Sequence, residues 1–434
     1  MRQLLLIPCL LLAATATAQD SSAQAAALSA SVNDKVLAWR RDIHQHPELS
    51  NRETRTSKLV ADHLRALGLE VRTGIAHNGV VALIKGGKPG PRIALRADMD
   101  GLPVTEQVEL PFASKVTTSY NGETVGVMHA CGHDAHTSIL MGVAEALVSM
   151  RKDLPGEVML IFQPAEEGAP EGETGGAKQM LAEGLFAEFK PEAVFGLHVH
   201  SSANVGQIGY RSGPFMAAAD SFKIVVKGKQ THGARPWVGI DPIVAAADIV
   251  TAAQTIVSRR MNLTLQPVVL SFGMVKGGIR SNIIPGQVEM IGTIRTFDPA
   301  MREQAFTELR RVATNIAEAH GATAEVTVPT EVSYPVLVND PALLERILPS
   351  LKQAVGAANV TQIPLSTGAE DFAFYAQQVP GVFFYVGATP VGVDPATAPA
   401  NHSPQFFVDE GALAVGTRAL LQVSLDYLNG STSR

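Results

Sequence analysis

Cysteine is scarce in this sequence, with Cys9 and Cys131 the two examples among 434 residues. Cys9 lies in an N-terminal segment that we predict to be removed, which leaves Cys131 alone in the mature chain. A chain with one cysteine forms no internal disulfide, so a disulfide-stabilised fold is excluded. A lone thiol in an oxidising compartment is vulnerable to reaction unless it is buried or bound to a metal.

The predicted export signal is the apolar segment at residues 4–14, which follows Arg2 and precedes Ala16, Thr17 and Ala18. This order of a positive charge, a short apolar segment and small residues is typical of a secretory signal peptide. We therefore predict a signal peptide at residues 1–18 and a protein exported to the periplasm or secreted. A lipid anchor on Cys9 is disfavoured because this cysteine lies inside the apolar segment.

The sequence also lacks an excess of positive charge and a second long apolar segment. Its net charge of −6 argues against a nucleic-acid partner, because nothing in this balance would neutralise phosphates. No later segment is long and apolar enough to span a bilayer, so no membrane anchor is expected after signal cleavage. The composition, 46% hydrophobic and 18% charged, is that of a globular protein, and the length favours two domains.

Apolar strands alternate with amphipathic helices over residues 19–212 and again over residues 331–434, after a leader at residues 19–30 that we expect to be flexible. Such alternation predicts an α/β catalytic domain, with a mostly parallel sheet and helices on both faces. Between these parts, residues 213–330 have the order β-α-β-β-α-β, which predicts an inserted α+β domain.

The densest group of reactive side chains lies at residues 129–136, which contain three histidines and Cys131. Cysteine and histidine are the usual ligands of zinc and neighbouring transition metals. Cys131 and His133 are two residues apart, which lets both side chains bind one ion from a loop. One histidine would fit a structural turn, but this group predicts a metal site.

Other polar residues follow predicted strands, where ligands gather in a parallel sheet. Glu166 and Glu167 are adjacent, so one could bind metal while the other carries protons. His198 ends an apolar strand, and His402 lies in a late loop. Asp98 and Asp100 also follow a strand and could orient metal ligands. The remaining polar candidates are in the inserted domain, where residue type alone marks them as ordinary surface groups: His232, Asn282 and Arg295.

Together these segments resemble the di-metal aminoacylase/carboxypeptidase-type amidohydrolases, in the branch with hippurate hydrolases and indole-acetyl-amino-acid hydrolases. The matching segments run in family order, at residues 40–49, 96–100, 129–136, 163–168, 228–236, 282–285 and 368–372. The resemblance implies that the inserted domain is a lid and dimerisation domain, with a possible homodimer through it. It also implies five metal ligands: Cys131, His133, Glu167, His198 and His402.

The resemblance implies further roles for single residues. Glu166 would be the general base that activates a metal-bound water, and Asp98 would hold a ligand in orientation. His232 would stabilise the oxyanion, and Asn282 and Arg295 would bind the substrate's carboxylate. His44 is typical of the family, and we interpret it as structural.

One departure from the family pattern leaves two histidines open as the ligand after the strand. The usual proline a few residues on is absent, and the segment contains both His198 and His200. We favour His198 because it lies at the predicted strand end.

The predicted function is exported, metal-dependent hydrolysis of the amide bond of N-acyl amino acids. A dipeptidase or carboxypeptidase of the same family is the alternative, and a non-catalytic binding protein on this scaffold is disfavoured because Glu166 is present. The substrate would be a small N-acyl amino acid or a dipeptide. The cofactors would be two divalent metal ions, zinc or manganese, with cobalt and nickel still open.

Overall fold

The computed structural model describes residues 9–330 and 333–430, with side chains from residue 21 onward. The helices in these ranges are α1 (Cys9–Gln45), α2 (Thr54–Ala66), α3 (His133–Ser149), α4 (Gly176–Ala182), α5 (Pro242–Thr255), α6 (Pro299–Ala319), α7 (Pro341–Val355), α8 (Phe372–Ala376) and α9 (Gly411–Leu428). Short 3-10 turns lie at Pro236–Val238 and Ala357–Asn359, and a π-helical turn, Ile256–Arg260, extends α5.

The strands in the same ranges are β1 (Val71–Ile75), β2 (Gly79–Lys85), β3 (Lys88–Asp98), β4 (Thr117–Tyr120), β5 (Glu123–Gly126), β6 (Pro155–Gln163), β7 (Ala193–Asn204), β8 (Ile208–Tyr210), β9 (Gly213–Met216), β10 (Ala218–Lys227), β11 (Thr231–His232), β12 (Val268–Gly277), β13 (Ile283–Ile284), β14 (Gln287–Thr296), β15 (Thr323–Thr327), β16 (Ser333–Tyr334), β17 (Leu337–Asn339), β18 (Val360–Gln362) and β19 (Gly381–Thr389).

The chain divides into two compact units. The first contains Met1–Gly213, Asn339–Ile363 and Phe374–Arg434, and the second contains Pro214–Val338 and Pro364–Ala373. The sequence-based boundaries assigned the last of these segments to the catalytic domain. It belongs with the second unit because Ala217 N–H donates to the carbonyls of both Ser366 and Gly368.

The first unit is built on a mixed sheet with strand order β1-β2-β6-β3-β7-β19-β8-β18. Its four central strands, β6, β3, β7 and β19, pair in parallel. Burial is continuous along β6 and β19 instead of alternating, so both faces of the sheet are covered. The predicted mostly parallel sheet flanked by helices is confirmed.

The N-terminal helix α1 packs against α3 and α9 of the same unit. The flexible leader predicted at residues 19–30 is wrong, because this segment lies within α1 and Ser21, Ala25 and Ser29 are buried. Ser29 Oγ donates to the Ala414 carbonyl at 3.3 Å. The small side chains that suggested flexibility instead allow close contact between helices.

The predicted signal peptide at residues 1–18 lies largely outside what the structure describes, since residues 1–8 and the side chains of residues 9–20 are not described. Its cleavage stays a prediction. Within the described residues, none of the helices combines the length and apolar character needed to cross a membrane.

The second unit contains an antiparallel sheet with strand order β12-β14-β10-β15, and the elements follow the predicted order β-α-β-β-α-β. Along β10, Phe222, Ile224 and Val226 are buried in alternation. They pack with residues of α5 and α6 in one apolar core, represented by Ile249 and Leu309. Alternation of this kind places one face of a sheet against helices.

Candidate metal centre and active site

The polar cluster of the first unit forms where three chain segments follow or continue the central strands. Asp98 is the last residue of β3, and Glu166 and Glu167 follow β6. His198 lies within β7, which continues to Asn204, so the strand end predicted at His198 is wrong. The carboxyl ends of parallel strands share one edge, which brings these segments together.

Cys131 lies at the centre of the cluster, in the loop before α3. Its Sγ is 3.3 Å from His198 Nε2 and 3.3 Å from His402 Nε2. The next residue, Gly132, has φ +96°, and an added Cβ there would lie 2.3 Å from Val199 Cγ2. Glycine is therefore required for the loop to pass this close to β7 and begin α3.

The candidate ligands form two overlapping groups that share Cys131. One group is Cys131, His133 and His198, and the other is Cys131, Glu167 and His402. Within each group the ligand atoms lie within 4.8 Å of one another. His402 Nε2 is 3.1 Å from Glu167 Oε1. The structure thus brings all five predicted ligands into one cluster.

His402 reaches the cluster because its loop is hydrogen-bonded to the Cys131 loop. The His402 N–H donates to the Ala130 carbonyl at 2.7 Å. The Asn401 amide donates to the carbonyls of Cys131 and Val199, at 3.2 Å in both cases. His402 has φ +71°, a left-handed conformation that is uncommon for a residue with a side chain. Backbone contacts therefore place a histidine that is distant in sequence.

The two histidines left open by the sequence have different surroundings. His198 is 7% exposed and its Nδ1 lies 2.7 Å from the Val199 carbonyl, which leaves Nε2 facing Cys131. His200 stacks on Tyr385 and its Nδ1 lies 2.7 Å from Ser202 Oγ. The structure therefore places His198, and not His200, in the cluster.

Asp98 makes its closest histidine contact with His136, which is not among the five predicted ligands. Its Oδ1 is 2.6 Å from His136 Nδ1 and 3.9 Å from His133 Nδ1. His136 Nε2 accepts the Val199 N–H at 2.8 Å, so both of its ring nitrogens are engaged. Arg96 donates to the other oxygen of Asp98 at 2.6 Å. Asp98 thus fixes His136, which supports β7 beside His198.

Asp100, which the sequence analysis gave with Asp98 as a candidate to orient metal ligands, contacts both a candidate ligand and the two glutamates. One oxygen lies 3.2 Å from His133 Nδ1 and accepts the Glu166 N–H at 3.1 Å, and the other accepts the Glu167 N–H at 3.0 Å. Ser50 Oγ also donates to Asp100, at 2.7 Å. One buried carboxylate therefore positions a candidate ligand and both glutamates. The only sequence signal for this role was its position after the strand.

We expect Asp100→Asn to lower kcat by about 10–100-fold, as replacements behind metal ligands commonly do. The amide NH₂ would face an N–H donor where a carboxylate oxygen now accepts, which displaces the loop with Glu166 and Glu167. Steady-state kinetics and metal analysis would measure the effect. Asp153→Asn is the control because Asp153 is 80% exposed. Unchanged kcat in Asp100→Asn would contradict this role.

A second carboxylate holds the turn before Glu166. Ala165 has φ +53°, and its N–H donates to Glu53 Oε1 at 2.8 Å. Glu53 is buried and also accepts the Asn51 N–H and the Asn78 amide. Burial, followed by the nearby Asp100, raises the pKa of Glu53 to about 8. The sequence analysis missed Glu53, since nothing local distinguishes it from an exposed glutamate.

The electrostatic environment of the cluster favours positive charge. Burial opposes the charged form of His133, but Asp98, Asp100 and Glu167 raise its pKa to about 10. Burial raises the pKa of the Cys131 thiol well above its usual range, and Glu167 and Glu166 raise it further. The carboxylates that stabilise a protonated His133 would equally stabilise a bound cation, and a bound cation would favour the thiolate.

The donors present fit two divalent cations. Sulfur, imidazole nitrogen and carboxylate oxygen are all ligands of zinc, and the shared Cys131 links the two groups. His133 Nε2 is buried and makes no hydrogen bond within the described part of the chain. It lies 3.8 Å from Glu166 Oε2 and 4.0 Å from Glu167 Oε1. A buried nitrogen without a hydrogen-bond partner, next to carboxylates, fits the role of a metal ligand.

His44 takes part in a buried network beside this cluster. Its Nδ1 is 2.8 Å from Asp134 Oδ2 and its Nε2 is 3.0 Å from Glu106 Oε1. Arg40 Nε donates to the same Asp134 oxygen at 2.9 Å. The network ties α1 to the first turn of α3, which agrees with a structural role for His44.

The remaining predicted site residues belong to the second unit. His232 and Asn282 lie on neighbouring segments, since His232 pairs with Ile283 and the Gly233 N–H donates to the Asn282 carbonyl. Arg295 lies on β14 and is half-buried. Burial lowers the pKa of Arg295, while Asp220 opposes this effect. Their roles in oxyanion and carboxylate binding stay predictions.

Comparison with known proteins shows the family to which this chain belongs. The profile of peptidase family M20/M25/M40 matches residues 94–426. The chain belongs to this family. Thermostable carboxypeptidase 2 of Saccharolobus solfataricus is 41% identical over 399 residues, which cover 92% of this chain and 96% of that protein. The IAA-amino acid hydrolase ILR1-like 4 of Arabidopsis thaliana is 37% identical over 411 residues, which cover 92% of this chain and 89% of that protein.

A solved structure is similar to this chain over nearly its whole length. The dinuclear metal-binding M20 peptidase of Bacillus subtilis is 36% identical, with a TM-score of 0.75 and coverage of 92% of this chain and 99% of that one. The protein is thus an M20-family hydrolase of amide or peptide bonds, and the resemblance inferred from its motifs is confirmed.

Proposed function

We propose that this protein cleaves the amide bond of N-acyl amino acids, using two divalent cations and Glu166. The observation that carries the proposal is the cluster in which two candidate ligand groups share Cys131 while Glu166 lies beside His133. Cys131, His133, Glu167, His198 and His402 would hold the cations. When bound, these cations supply Lewis acidity that polarises the scissile carbonyl and acidifies water.

Glu166 is placed to carry the protons of the reaction. Its backbone N–H donates to Asp100, and Glu166 is buried, with its carboxylate 3.8 Å from His133 Nε2 in the cluster. It would take a proton from the attacking water and deliver it to the leaving nitrogen. Amide hydrolysis needs such a donor because the amine is a poor leaving group.

The amino-acid side of the substrate would be recognised by the second unit. We assign carboxylate binding to Asn282 and Arg295 and oxyanion stabilisation to His232, in agreement with the family resemblance. A cation and an amide that bind a free carboxylate favour N-acyl amino acids over internal peptide bonds. The name of the Arabidopsis thaliana relative denotes an amino-acid conjugate, which supports this substrate class.

A substrate panel tests the proposal. The purified protein, loaded with zinc or manganese, would be assayed with N-acyl amino acids and with dipeptides, and amine release would be measured. We expect N-acyl amino acids to give the higher kcat/KM, and we expect chelation to abolish turnover until metal is restored. Preference for dipeptides would favour the carboxypeptidase function named for the Saccharolobus solfataricus relative. Full activity after chelation would contradict the metal centre.

A homodimer through the second unit is part of the proposal. Within the described residues β12 is an edge strand, and Val269 and Val275 on it are 41% and 58% exposed. Ile243 and Val244 on α5 are also exposed. An unpaired apolar edge favours pairing with a second copy.

Sedimentation velocity tests this interface. We expect a dimer for the wild type and a monomer for Val275→Arg, because a charge at an apolar interface is costly to bury. Val391→Arg is the control, since Val391 is exposed but belongs to the first unit. A monomeric wild type would exclude the dimer.

Export remains part of the proposal on the N-terminal sequence alone. Cleavage after Ala18 would leave the packed part of α1 intact, since its described buried side chains begin at Ser21. Mass spectrometry of the protein from the periplasm or medium should find Gln19 as the first residue. Retention of the full chain in the cytoplasm would contradict export.

A further inference from the structure

A cavity of about 420 Å³ lies in the first unit directly beside Glu167, which forms part of its wall. This volume is within the range of pockets that bind small organic molecules. The other walls come from the segments between Pro47 and Arg52, between Gly101 and Pro103, and between Val116 and Asn121. The cavity thus adjoins the candidate metal centre without containing its other ligands.

One wall is a hairpin that has no part in the apolar core. Strands β4 and β5 pair only with each other within the described chain, and β4 is exposed along its length. The hairpin turns at Asn121 and Gly122, which have φ +51° and +82° and suit a tight two-residue turn. Val116 and every residue of β4 line the cavity. Side chains here shape the cavity and contribute little to the core.

The charged groups of the cavity wall, apart from Glu167, are engaged elsewhere. Glu48 accepts the N–H groups of Arg55 and Thr56, at 2.9 and 2.8 Å. Arg52 donates to both oxygens of Glu173, at 2.5 and 3.0 Å. In the part of the chain that the structure describes, Arg52 is the one cation that lines the cavity. The cavity is therefore poorly suited to bind the free carboxylate of an amino acid.

The remaining wall favours an uncharged, apolar group. Leu102, Pro103, Val116, Val127 and Tyr120 present aliphatic and aromatic surface to the cavity. A group held here, beside Glu167, would be joined to the carbonyl carbon that is attacked. The geometry points to a pocket for the acyl group of the substrate, with Val116 and Tyr120 selecting apolar groups up to aromatic size. This inference rests on the proposed function, because it assumes an N-acyl amino acid substrate.

The test compares acyl groups of different size on one amino acid. Wild type and Val116→Phe would be assayed with the N-acetyl, N-butanoyl and N-benzoyl derivatives. The larger side chain narrows the cavity, so we expect kcat/KM for the benzoyl substrate to fall by about tenfold or more, the effect that steric misfit commonly has. For the substrate with the smallest acyl group that the enzyme accepts, kcat/KM should change by less than about threefold.

The matched control is Val125→Phe, which makes the same change on the same hairpin. Val125 lies opposite Thr118 in the β4–β5 pair but does not line the cavity. We expect it to leave the ratio of benzoyl to acetyl turnover unchanged. A second variant, Tyr120→Ala, changes a 38% exposed side chain and removes no core contact. It should raise KM for the benzoyl substrate several-fold and spare the acetyl substrate.

The outcomes separate the two proposals. A wild type that hydrolyses none of the three derivatives overturns the proposed function. An active wild type whose acyl preference is the same in Val116→Phe and Tyr120→Ala overturns the assignment of the cavity. If circular dichroism shows that Val116→Phe is unfolded, the acyl preference of Tyr120→Ala alone tests the assignment of the cavity.

Discussion

Replacing Glu166 with glutamine is expected to lower kcat by about 10²–10⁴-fold, the usual contribution of a positioned general acid–base group. Glutamine has nearly the same shape, but it can neither accept the proton of the attacking water nor deliver one to the leaving nitrogen. The Glu166 N–H would still donate to Asp100, so the loop should keep its position. Stopped assays of amine release with the preferred N-acyl amino acid would measure the loss.

The control for this variant is Glu171→Gln, which makes the same change on an exposed residue shortly after the cluster. Metal analysis of both variants should give the wild-type content, because Glu166 is not among the five proposed ligands. Turnover near that of the wild type in Glu166→Gln would refute the assigned base. Loss of activity together with loss of metal would instead indicate that Glu166 is a metal ligand.

Replacing Cys131 with alanine is expected to remove metal from both positions and to lower kcat by about 100-fold or more, since bound cations supply several kcal/mol of transition-state stabilisation. Cys131 belongs to both ligand groups, whereas the other four ligands each belong to one of these two. Inductively coupled plasma mass spectrometry of protein purified without added metal ions would give the metal content per chain.

Cys131→Asp separates loss of ligation from loss of packing. A carboxylate can bind hard and borderline cations, so this variant should keep more metal than Cys131→Ala, with manganese favoured over zinc relative to the wild type. Both variants should fold, as judged by circular dichroism. Two ions per chain in Cys131→Ala, with wild-type activity, would show that this cysteine is not a ligand.

The fold followed from sequence patterns because its main elements bury apolar residues at regular spacing. The continuous apolar segments of β6 and β7 and the alternation in β10 predicted the two kinds of sheet. The hairpin of β4 and β5 was missed because its strands are polar and exposed, so they lack any apolar periodicity. Residues 21–30 were misjudged because small side chains resemble a linker in sequence, whereas in α1 they permit close packing.

Within the cluster, the residues found from the sequence are those close together along the chain. Cys131 and His133 share one loop, and Glu166 and Glu167 are adjacent, so their chemistry could be inferred locally. His402 was assigned from the family resemblance, and its position depends on hydrogen bonds between two distant loops. Which of Asp98 and Asp100 contacts His133 more closely depends on differences of less than 1.5 Å in contacts to two histidines, about which residue spacing carries no information.

The sequence by itself determined the class of this protein through its resemblance to the di-metal aminoacylase/carboxypeptidase-type amidohydrolases, with a thiol, histidines and carboxylates suited to two cations. Residue type and order are enough for this, because metal chemistry needs particular donor atoms in particular segments. Only the tertiary structure decided that His198 and not His200 faces Cys131, that Asp100 positions the glutamates, and that a polar hairpin lines a cavity beside Glu167. These features depend on side-chain direction and on contacts between distant segments, which arise when the chain packs.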